Sequence, residues 1–242
     1  MVRIASFICA IAIAFNISNA ATASDSTTIY TSYFPSVVID DPDKPGIAYE
    51  IVTELFKLAK EEYTIVHLPW ARAQHMALQT PGSLIFPLSR TPTRDDKYVW
   101  DLNIFNNNSY FITFNNVKLT AETARDKHIG VQLKSSWDNW LTEQGYKNVY
   151  RVPGDGSELI KLLRNKRIDA WYTDQIIGST ALRGLEDPGI TFSEPIKFFR
   201  TYLATNRKNP YPHMEKLRAA LKVLQESGRI DEIFKKYGLI PN

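Results

Sequence analysis

Stretches with the apolar spacing of strands alternate along this chain with stretches that have the spacing of helices. A strand-like segment at 27–33 is followed by Pro45-Gly46, after which apolar residues recur every three or four positions at Ile47, Ile51, Leu55 and Leu58. The next strand-like segment is 63–68. Such spacing indicates a helix, and short runs of β-branched and aromatic residues indicate strands. This order predicts an α/β fold with largely parallel sheets.

The same pattern continues to a polar cluster. A second helix is predicted at 70–78, Thr80-Pro81-Gly82-Ser83 ends it, and the short apolar strand 84–86 leads into the cluster at 89–94. Beyond the strand-like residues 98–100, a run rich in asparagine predicts a turn before another strand at 110–115. The polar cluster therefore follows the carboxyl end of a strand, which is where open α/β sheets bind ligands.

The second half repeats this organisation. The predicted order is strand 129–133, helix 137–144 capped by Ser135 or Ser136, strand 149–152, a helix capped by Gly154-Asp155-Gly156-Ser157, and strand 168–172. The last of these strands leads into Thr173-Asp174, so polar groups again follow a strand end. An extended aromatic segment at 198–206 and two helices around Gly228 complete the chain.

The first 23 residues have the composition of a secretory signal. Arg3 precedes the largely apolar residues 4–17, and small residues follow, so cleavage is expected near Ala20 or Ala23. A retained membrane anchor would need about 20 apolar residues, and polar residues from Asn16 onward interrupt this stretch. We therefore expect a periplasmic protein. The only cysteine, Cys9, lies in the segment to be removed, which excludes disulfides and thiolate sites from the mature chain.

Charge and composition exclude few classes of partner, and they do not favour a macromolecular partner such as nucleic acid. Cleavage removes one of the 29 basic residues and none of the 26 acidic ones, and the two signs are interspersed. No basic run or aromatic-basic repeat indicates nucleic acid. No zinc, phosphate-loop or hydrolase motif appears, so no cofactor or metal is expected. The remaining length suits either one large domain or two lobes of about 100 residues.

In order and spacing, several short motifs resemble the type 2 bacterial solute-binding proteins that bind polar amino acids for ABC importers (family 3). The motifs are Tyr33-Phe34-Pro35, Gly46–Glu50, Trp70-Ala71-Arg72-Ala73, Thr91 with Arg94, Asp169–Asp174, and 217–237 with Gly228 between two helices. The resemblance covers nearly the whole mature chain, and the Trp-x-Arg-Ala motif is similar to a divergent branch. It implies a two-lobed periplasmic binding protein type II fold, with 24–114 and 206–242 as lobe 1 and 115–205 as lobe 2. Chain crossings at 114–118 and 201–207 would form the hinge.

The resemblance also implies a binding site between the lobes. Arg94 would bind the α-carboxylate of the ligand through two parallel hydrogen bonds, although a surface ion pair with Asp95, Asp96 or Asp101 is the alternative. Ser89 would add a hydroxyl, and Ser135 and Ser136 would present a helix N-terminus, although helix capping explains these two serines equally well.

The remaining implied contacts concern the ammonium group and the side chain of the ligand. Asp174 would bind the ammonium. The alternative for Asp174 is an exposed turn aspartate, and Asp169 could instead be the family's strand-edge aspartate, with a purely structural role. Tyr33 and Trp70 would stack on the ligand side chain, and core packing is the alternative for both. Arg90 stands where the family commonly has an apolar residue. Together with Arg72 and Arg94, it predicts a more cationic pocket that suits a second carboxylate or another anion.

Partners and alternatives follow from this interpretation. We expect a monomer that binds a small molecule, an amino acid or related carboxylate, closes about a hinge, and serves an ABC permease or a membrane receptor. The competing class is an enzyme on the same scaffold, similar to cyclohexadienyl dehydratase. An enzyme would need an acid or base in the cleft, and His67, His75, His128 and His213 follow no catalytic or metal-binding spacing.

Overall fold

The computed structural model describes residues 26–153, 157–185 and 189–239. Strands β1 to β9 are Thr27–Thr31, Tyr63–His67, Leu84–Ser89, Tyr98–Thr113, Ile129–Gln132, Val149–Val152, Ala170–Asp174, Thr191–Phe192 and Lys197–Asn206. Helices α1 to α7 are Ile47–Ala59, Trp70–Gln79, Ser136–Glu143, Ser157–Arg164, Gln175–Ala181, Met214–Glu226 and Arg229–Lys236. A 3-10 turn covers Pro92–Arg94. The predicted signal segment and the Gly154-Asp155-Gly156 part of the predicted cap lie outside the described residues.

The strands form a sheet with the order β2-β1-β3-β9-β4-β7-β5-β6, and β8 pairs with β4. In the first lobe β1 pairs in parallel with β2 and β3, and in the second lobe β5 pairs in parallel with β6 and β7. The long strands β4 and β9 are antiparallel to each other and join the two sets. The predicted α/β architecture with largely parallel sheets is confirmed.

The asparagine-rich segment differs from its prediction. It forms no turn, because β4 is one continuous strand from Tyr98 to Thr113. Asn106, Asn107 and Asn108 pair with Arg200, Phe199 and Phe198 of β9. Asparagine disfavours strands on average, but the neighbouring strand supplies backbone partners and overrides that preference here. β4 already pairs with β7 at Ser109–Ile112, so the first crossing lies within β4, earlier than the predicted 114–118.

The helices bury the faces that their spacing predicts. In α1, Ile47, Ile51 and Leu55 are fully buried, whereas Leu58 is 47% exposed. The last two helices of the chain, α6 and α7, pack on α1, and Leu217 and Leu221 of α6 are buried. Within the described residues, no helix has both the length and the apolar character needed to cross a bilayer.

Candidate ligand-binding site

A small cavity lies where the carboxyl ends of the parallel strands of the two lobes meet. Both lobes supply its lining, which comprises Phe34, Val37, Trp70, Pro87, Ser89, Arg94, Phe105, Asn107, Gln132, Ser135, Ser136, Trp137, Asp174, Ile177 and Thr201. Its volume, taken as the space that the centre of a water molecule can occupy, is about 30 Å³, whereas a single water needs about 10–15 Å³ by the same measure. In this arrangement of the lobes the cavity therefore has room for about two or three waters.

Arg94 is the cation of this cavity. It ends the 3-10 turn after β3, and only 5% of its surface is exposed. Its Nη1 donates to the Ser89 carbonyl at 2.9 Å, and its Nη2 donates across the cleft to the Lys134 carbonyl at 2.7 Å. Burial lowers the pKa of Arg94 to about 10, so the side chain is still a cation at neutral pH. It forms no ion pair with Asp95, Asp96 or Asp101 among the described residues.

The two predicted serines lie at the start of α3. Ser135 is the N-cap, and its hydroxyl accepts a hydrogen bond from the Asp138 amide at 3.0 Å. Ser136 is the first helical residue and is buried beside it. Both line the cavity, so Ser135 combines the capping role with a position at the site. The first amides of a helix have no partner within the helix, and those of α3 therefore face the cavity end of the second lobe.

Asp174 ends β7 and caps α5. Its Oδ1 accepts from the Ile177 amide at 2.7 Å, and its Oδ2 accepts from Asn107 Nδ2 at 2.8 Å. The side chain is buried at the cavity rather than exposed in a turn. Burial raises the pKa of Asp174 to about 7 because these two neutral donors only partly replace the lost water. A cation bound at this carboxylate would add a charged partner to these two neutral donors.

The first lobe contributes an aromatic wall. Trp70 is the first residue of α2, is 4% exposed, and meets Phe34 edge to face at 5.2 Å between ring centroids. Phe34 and Val37 belong to the loop after β1, which packs against Gly46 at φ 107°. A Cβ on Gly46 would lie 2.5 Å from the Val37 carbonyl carbon. Glycine is therefore required for this loop to reach the cavity.

Three residues predicted for the site lie elsewhere. Tyr33 is 41% exposed and stacks on His67 at 4.5 Å instead of facing the cavity. Arg72 lies on the exposed side of α2, because the buried face of that helix carries Trp70 and Ala73. Arg90 pairs with Asp95 on the surface and lines a neighbouring groove. Of the three arginines that the sequence analysis placed in one pocket, only Arg94 lines this cavity.

The structure also brings in residues that the sequence analysis missed. Asn107 comes from the segment interpreted as a turn, Trp137 directly follows the two serines, and Phe34 directly follows Tyr33. The period of β4 places Asn107 on the cavity side once that segment is known to be a strand. For Trp137, the sequence signal for a place at the site was its position directly after the predicted helix cap.

Histidines and metal-binding clusters are absent from this cavity among the described residues. None of the four histidines lines the cavity, and no cluster of His, Cys, Asp and Glu with metal-binding geometry occurs in the described part of the chain. The groups that do meet are one cation, one carboxylate, hydroxyls, amides and aromatic rings.

Sequence comparison finds neither a matching family model nor a matching curated protein. Comparison of structures does find similar proteins. The arginine-, lysine-, histidine-binding protein ArtJ from Geobacillus stearothermophilus has a TM-score of 0.77 at 19% identity, over 90% of this chain and 97% of that one. The GluR0 ligand-binding core from Nostoc punctiforme, in complex with L-glutamate, has a TM-score of 0.74 at 17% identity, over 87% and 98%.

A third similar structure is a histidine kinase sensor domain with similarity to periplasmic binding proteins, with a TM-score of 0.77 at 13% identity over 90% of this chain and 98% of that one. At these identities the likeness defines the fold. This chain has the two-lobed fold of the type 2 solute-binding proteins, as the sequence predicted. The proteins that share it bind ligands and include both transporter components and a sensor domain.

Proposed function

We propose that this protein binds a small zwitterionic solute, an amino acid or a close relative, between its two lobes. The observation that carries the proposal is the presence of one buried cation, Arg94, and one buried carboxylate, Asp174, in the same small cavity. Among the described residues that line it, no other side chain is an acid, a lysine or an arginine. A zwitterion brings one charge of each sign and matches both.

The geometry of Arg94 supports its role as the carboxylate-binding group. A guanidinium has five N–H donors, and its hydrogen bonds to Ser89 and Lys134 use one on each terminal nitrogen. The remaining donors allow a ligand carboxylate to bind without displacing both of these contacts. Ser89 and Ser136 line the same cavity and supply hydroxyls. Charge-assisted hydrogen bonds of this kind are the strong ones in proteins.

The absence of Arg72 and Arg90 from the lining changes the ligand that we favour. With Arg94 as the cation, a second carboxylate on the ligand would be buried without a charged partner, which is costly. A ligand with a single carboxylate is therefore favoured over a dicarboxylate. The names of the similar structures, which include a ligand-binding core in complex with glutamate and an ancestral arginine-binding protein bound to glutamine or to arginine, support the amino-acid class.

Ligand binding would be coupled to closure of the lobes. In this proposal the lobes predicted as 24–114 with 206–242 and as 115–205 move as two bodies, with the first boundary shifted into β4 ahead of Ser109, because Ser109–Ile112 pair with β7 of the second lobe. Strands β4 and β9 carry the hinge because they connect the two parallel sets. Hinge closure around ligands is typical of periplasmic binding proteins. The closed protein, exported to the periplasm as a monomer, would then deliver its ligand to an ABC permease or present itself to a membrane receptor. Both kinds of system occur among the similar structures.

Native mass spectrometry of the exported protein tests the proposal directly. We expect a retained small molecule whose mass, after release by denaturation, identifies an amino acid. If the protein carries none, isothermal titration against the twenty amino acids, dicarboxylates and inorganic anions follows. Micromolar or tighter binding of an amino acid supports the proposal. Binding of dicarboxylates or inorganic anions alone would contradict the zwitterion assignment, and conversion of the bound compound would support an enzyme instead.

A further inference from the structure

Two buried polar atoms at the cavity have no hydrogen-bond partner among the described residues. They are the side-chain carbonyl oxygen of Asn107 and the indole nitrogen of Trp137. Asn107 is 4% exposed and Trp137 is 7% exposed, and both line the cavity. Leaving a buried donor or acceptor unpaired costs free energy. A ligand that reached both atoms would supply the missing partners.

The acceptor lies next to Asp174. The Asn107 amide nitrogen donates to Asp174 Oδ2 at 2.8 Å, so this hydrogen bond sets the orientation of the amide. The nitrogen faces the carboxylate, and the amide oxygen is left over. An ammonium group bound to Asp174 has three N–H donors and can reach this oxygen as well. Asn107 therefore complements the ammonium end of the ligand.

The donor lies on the second lobe. Trp137 is the second residue of α3, directly after Ser136. Arg94, Ser89 and Ser136 already offer enough donors for one carboxylate, so an acceptor elsewhere on the ligand remains for the indole N–H. The small volume of the cavity in this arrangement of the lobes favours an acceptor on a short side chain. An indole N–H is a donor only and selects an oxygen such as a hydroxyl or amide carbonyl.

We propose that Asn107 and Trp137 determine the specificity of the site, with Asn107 binding the ammonium group and Trp137 binding an oxygen on a short polar side chain. The inference rests on the proposed binding of an amino acid. The predicted ligand class is a zwitterionic amino acid with a hydroxyl or amide in its side chain. Its apolar isostere would leave the Trp137 N–H unpaired, and sites that hydrogen-bond a substrate group discriminate strongly against analogues that lack it.

The first test compares isosteric pairs by isothermal titration: threonine with valine, and asparagine with leucine. In the unmodified protein we expect the polar member of at least one pair to bind at least about tenfold more tightly than its apolar partner. The Trp137→Phe variant keeps an aromatic ring and removes only the N–H donor and part of the ring system. It should lower the affinity for the polar member and leave that for the apolar member nearly unchanged.

A matched control for this variant lies on the same helix. Trp140 lines the neighbouring groove and not the cavity, so Trp140→Phe should keep the preference for the polar ligand. If Trp137→Phe weakens both members of a pair equally, the indole binds the carboxylate, and the side-chain assignment is overturned. Unchanged affinity for both members would overturn any ligand contact by Trp137.

Asn107 has a matched control one residue away on the same strand. Asn106 also has a buried, unpartnered carbonyl oxygen among the described residues, but it lines a different cavity beside α7. Asn107→Leu should reduce amino-acid affinity by at least about tenfold, while Asn106→Leu should leave it unchanged. A second substitution, Asn107→Ser, covers the case in which the leucine variant does not fold.

The readout for Asn107 uses the ammonium group itself. Each variant is titrated with an amino acid and with its analogue that lacks the ammonium group, and Asn107→Leu should reduce the difference between the two. An undiminished difference would overturn the role of Asn107. If no amino acid binds the unmodified protein at all, the proposed function fails, whereas amino-acid binding that is insensitive to these variants contradicts only the present inference.

Discussion

The guanidinium of Arg94 and the backbone carbonyl of Lys134 form a 2.7 Å hydrogen bond across the cleft. Gln74 of the first lobe donates to the same carbonyl at 3.1 Å. Lys134 has a left-handed backbone with φ 60°, and its amide donates to Asp138 Oδ2 at 2.9 Å. This turn directs the carbonyl toward the first lobe, so Arg94, the side chain that we propose binds the ligand carboxylate, also joins the two lobes.

Replacing Arg94 by alanine should abolish most ligand binding. The variant loses the buried cation that we assign to the carboxylate, and we expect a loss of about 2–5 kcal/mol in binding free energy. Isothermal titration with the ligand identified by mass spectrometry measures it. Arg90→Ala is the matched control, because Arg90 is exposed and paired with Asp95, and its affinity should be unchanged. Equal losses in both variants would contradict the assignment.

A second prediction concerns closure without direct ligand contact. Asn139 of α3 donates to the hydroxyls of Thr91 and Thr93 at 3.3 and 3.1 Å, which joins the lobes beside the cavity. Asn139→Ala removes these contacts between the lobes, which the proposed closure would depend on, and should weaken ligand binding by about 0.5–1.5 kcal/mol. Small-angle scattering should also show a larger unliganded radius of gyration. Asn148→Ala, an exposed residue of the second lobe, should change neither quantity.

The raised pKa of Asp174 predicts that ligand affinity depends on pH. An ammonium group requires the carboxylate form, and the pKa of Asp174 is about 7 in the unliganded protein. Affinity should therefore rise about tenfold per pH unit below that value and level off above it. Titration in buffers of different ionisation enthalpy should show proton release at about pH 6.

The role of the Asp174 carboxyl group can be checked with two variants and with the stability of the unliganded protein. Asp174→Asn should bind weakly and lose the pH dependence, whereas Asp169→Asn, half-exposed beside His128, should retain it. The folded pKa lies above the ordinary value of 3.8, so the folded protein binds more protons than the unfolded chain between these values. The contribution of Asp174 to stability therefore falls as pH rises from about 4 to about 7. A rise over this interval in the parent relative to Asp174→Asn would contradict the assignment.

Glu61 joins the end of α1 to the C-terminal helices and should matter for stability. Its carboxylate, 11% exposed, accepts from Tyr211 at 2.9 Å and lies 2.6 Å from His213 Nδ1, and it pairs with Lys216. The hydrogen bonds from Lys216 and His213 lower the pKa of Glu61 to about 2. Glu61→Gln should reduce the free energy of unfolding by about 1–2 kcal/mol at neutral pH.

The sign of this effect follows from the lowered pKa. The stabilisation is present above the ordinary pKa of 4.5 and is lost as pH falls toward about 2. Urea unfolding at several pH values should show the difference between Glu61→Gln and the parent narrowing over that interval. Glu62→Gln, an exposed neighbour, should behave as the parent at neutral pH, and a difference for Glu61→Gln that persisted at about pH 2 would assign it to packing.

The sequence by itself determined the local elements and part of the site. Apolar spacing predicted α1 closely, because burial on one side of a helix repeats every three or four residues. The position of Ser89, Arg94 and Asp174 at or after strand ends predicted a ligand site in each half of the chain, and the resemblance to the solute-binding proteins implied that these residues would meet between two lobes. These features depend on residues that are close together in the chain, so the local pattern of polar and apolar positions contains them.

The tertiary structure decided which side chains of that region face the cavity. Asn107 lies in a strand only because β9, about ninety residues further along, pairs with it. Arg90 turned to Asp95 and Tyr33 to His67, although both adjoin residues that line the cavity. The orientation of a side chain at a strand end depends on pairing, bulges and the placement of the other lobe. Those contacts join residues far apart in the chain, so no local pattern of polar and apolar positions contains them.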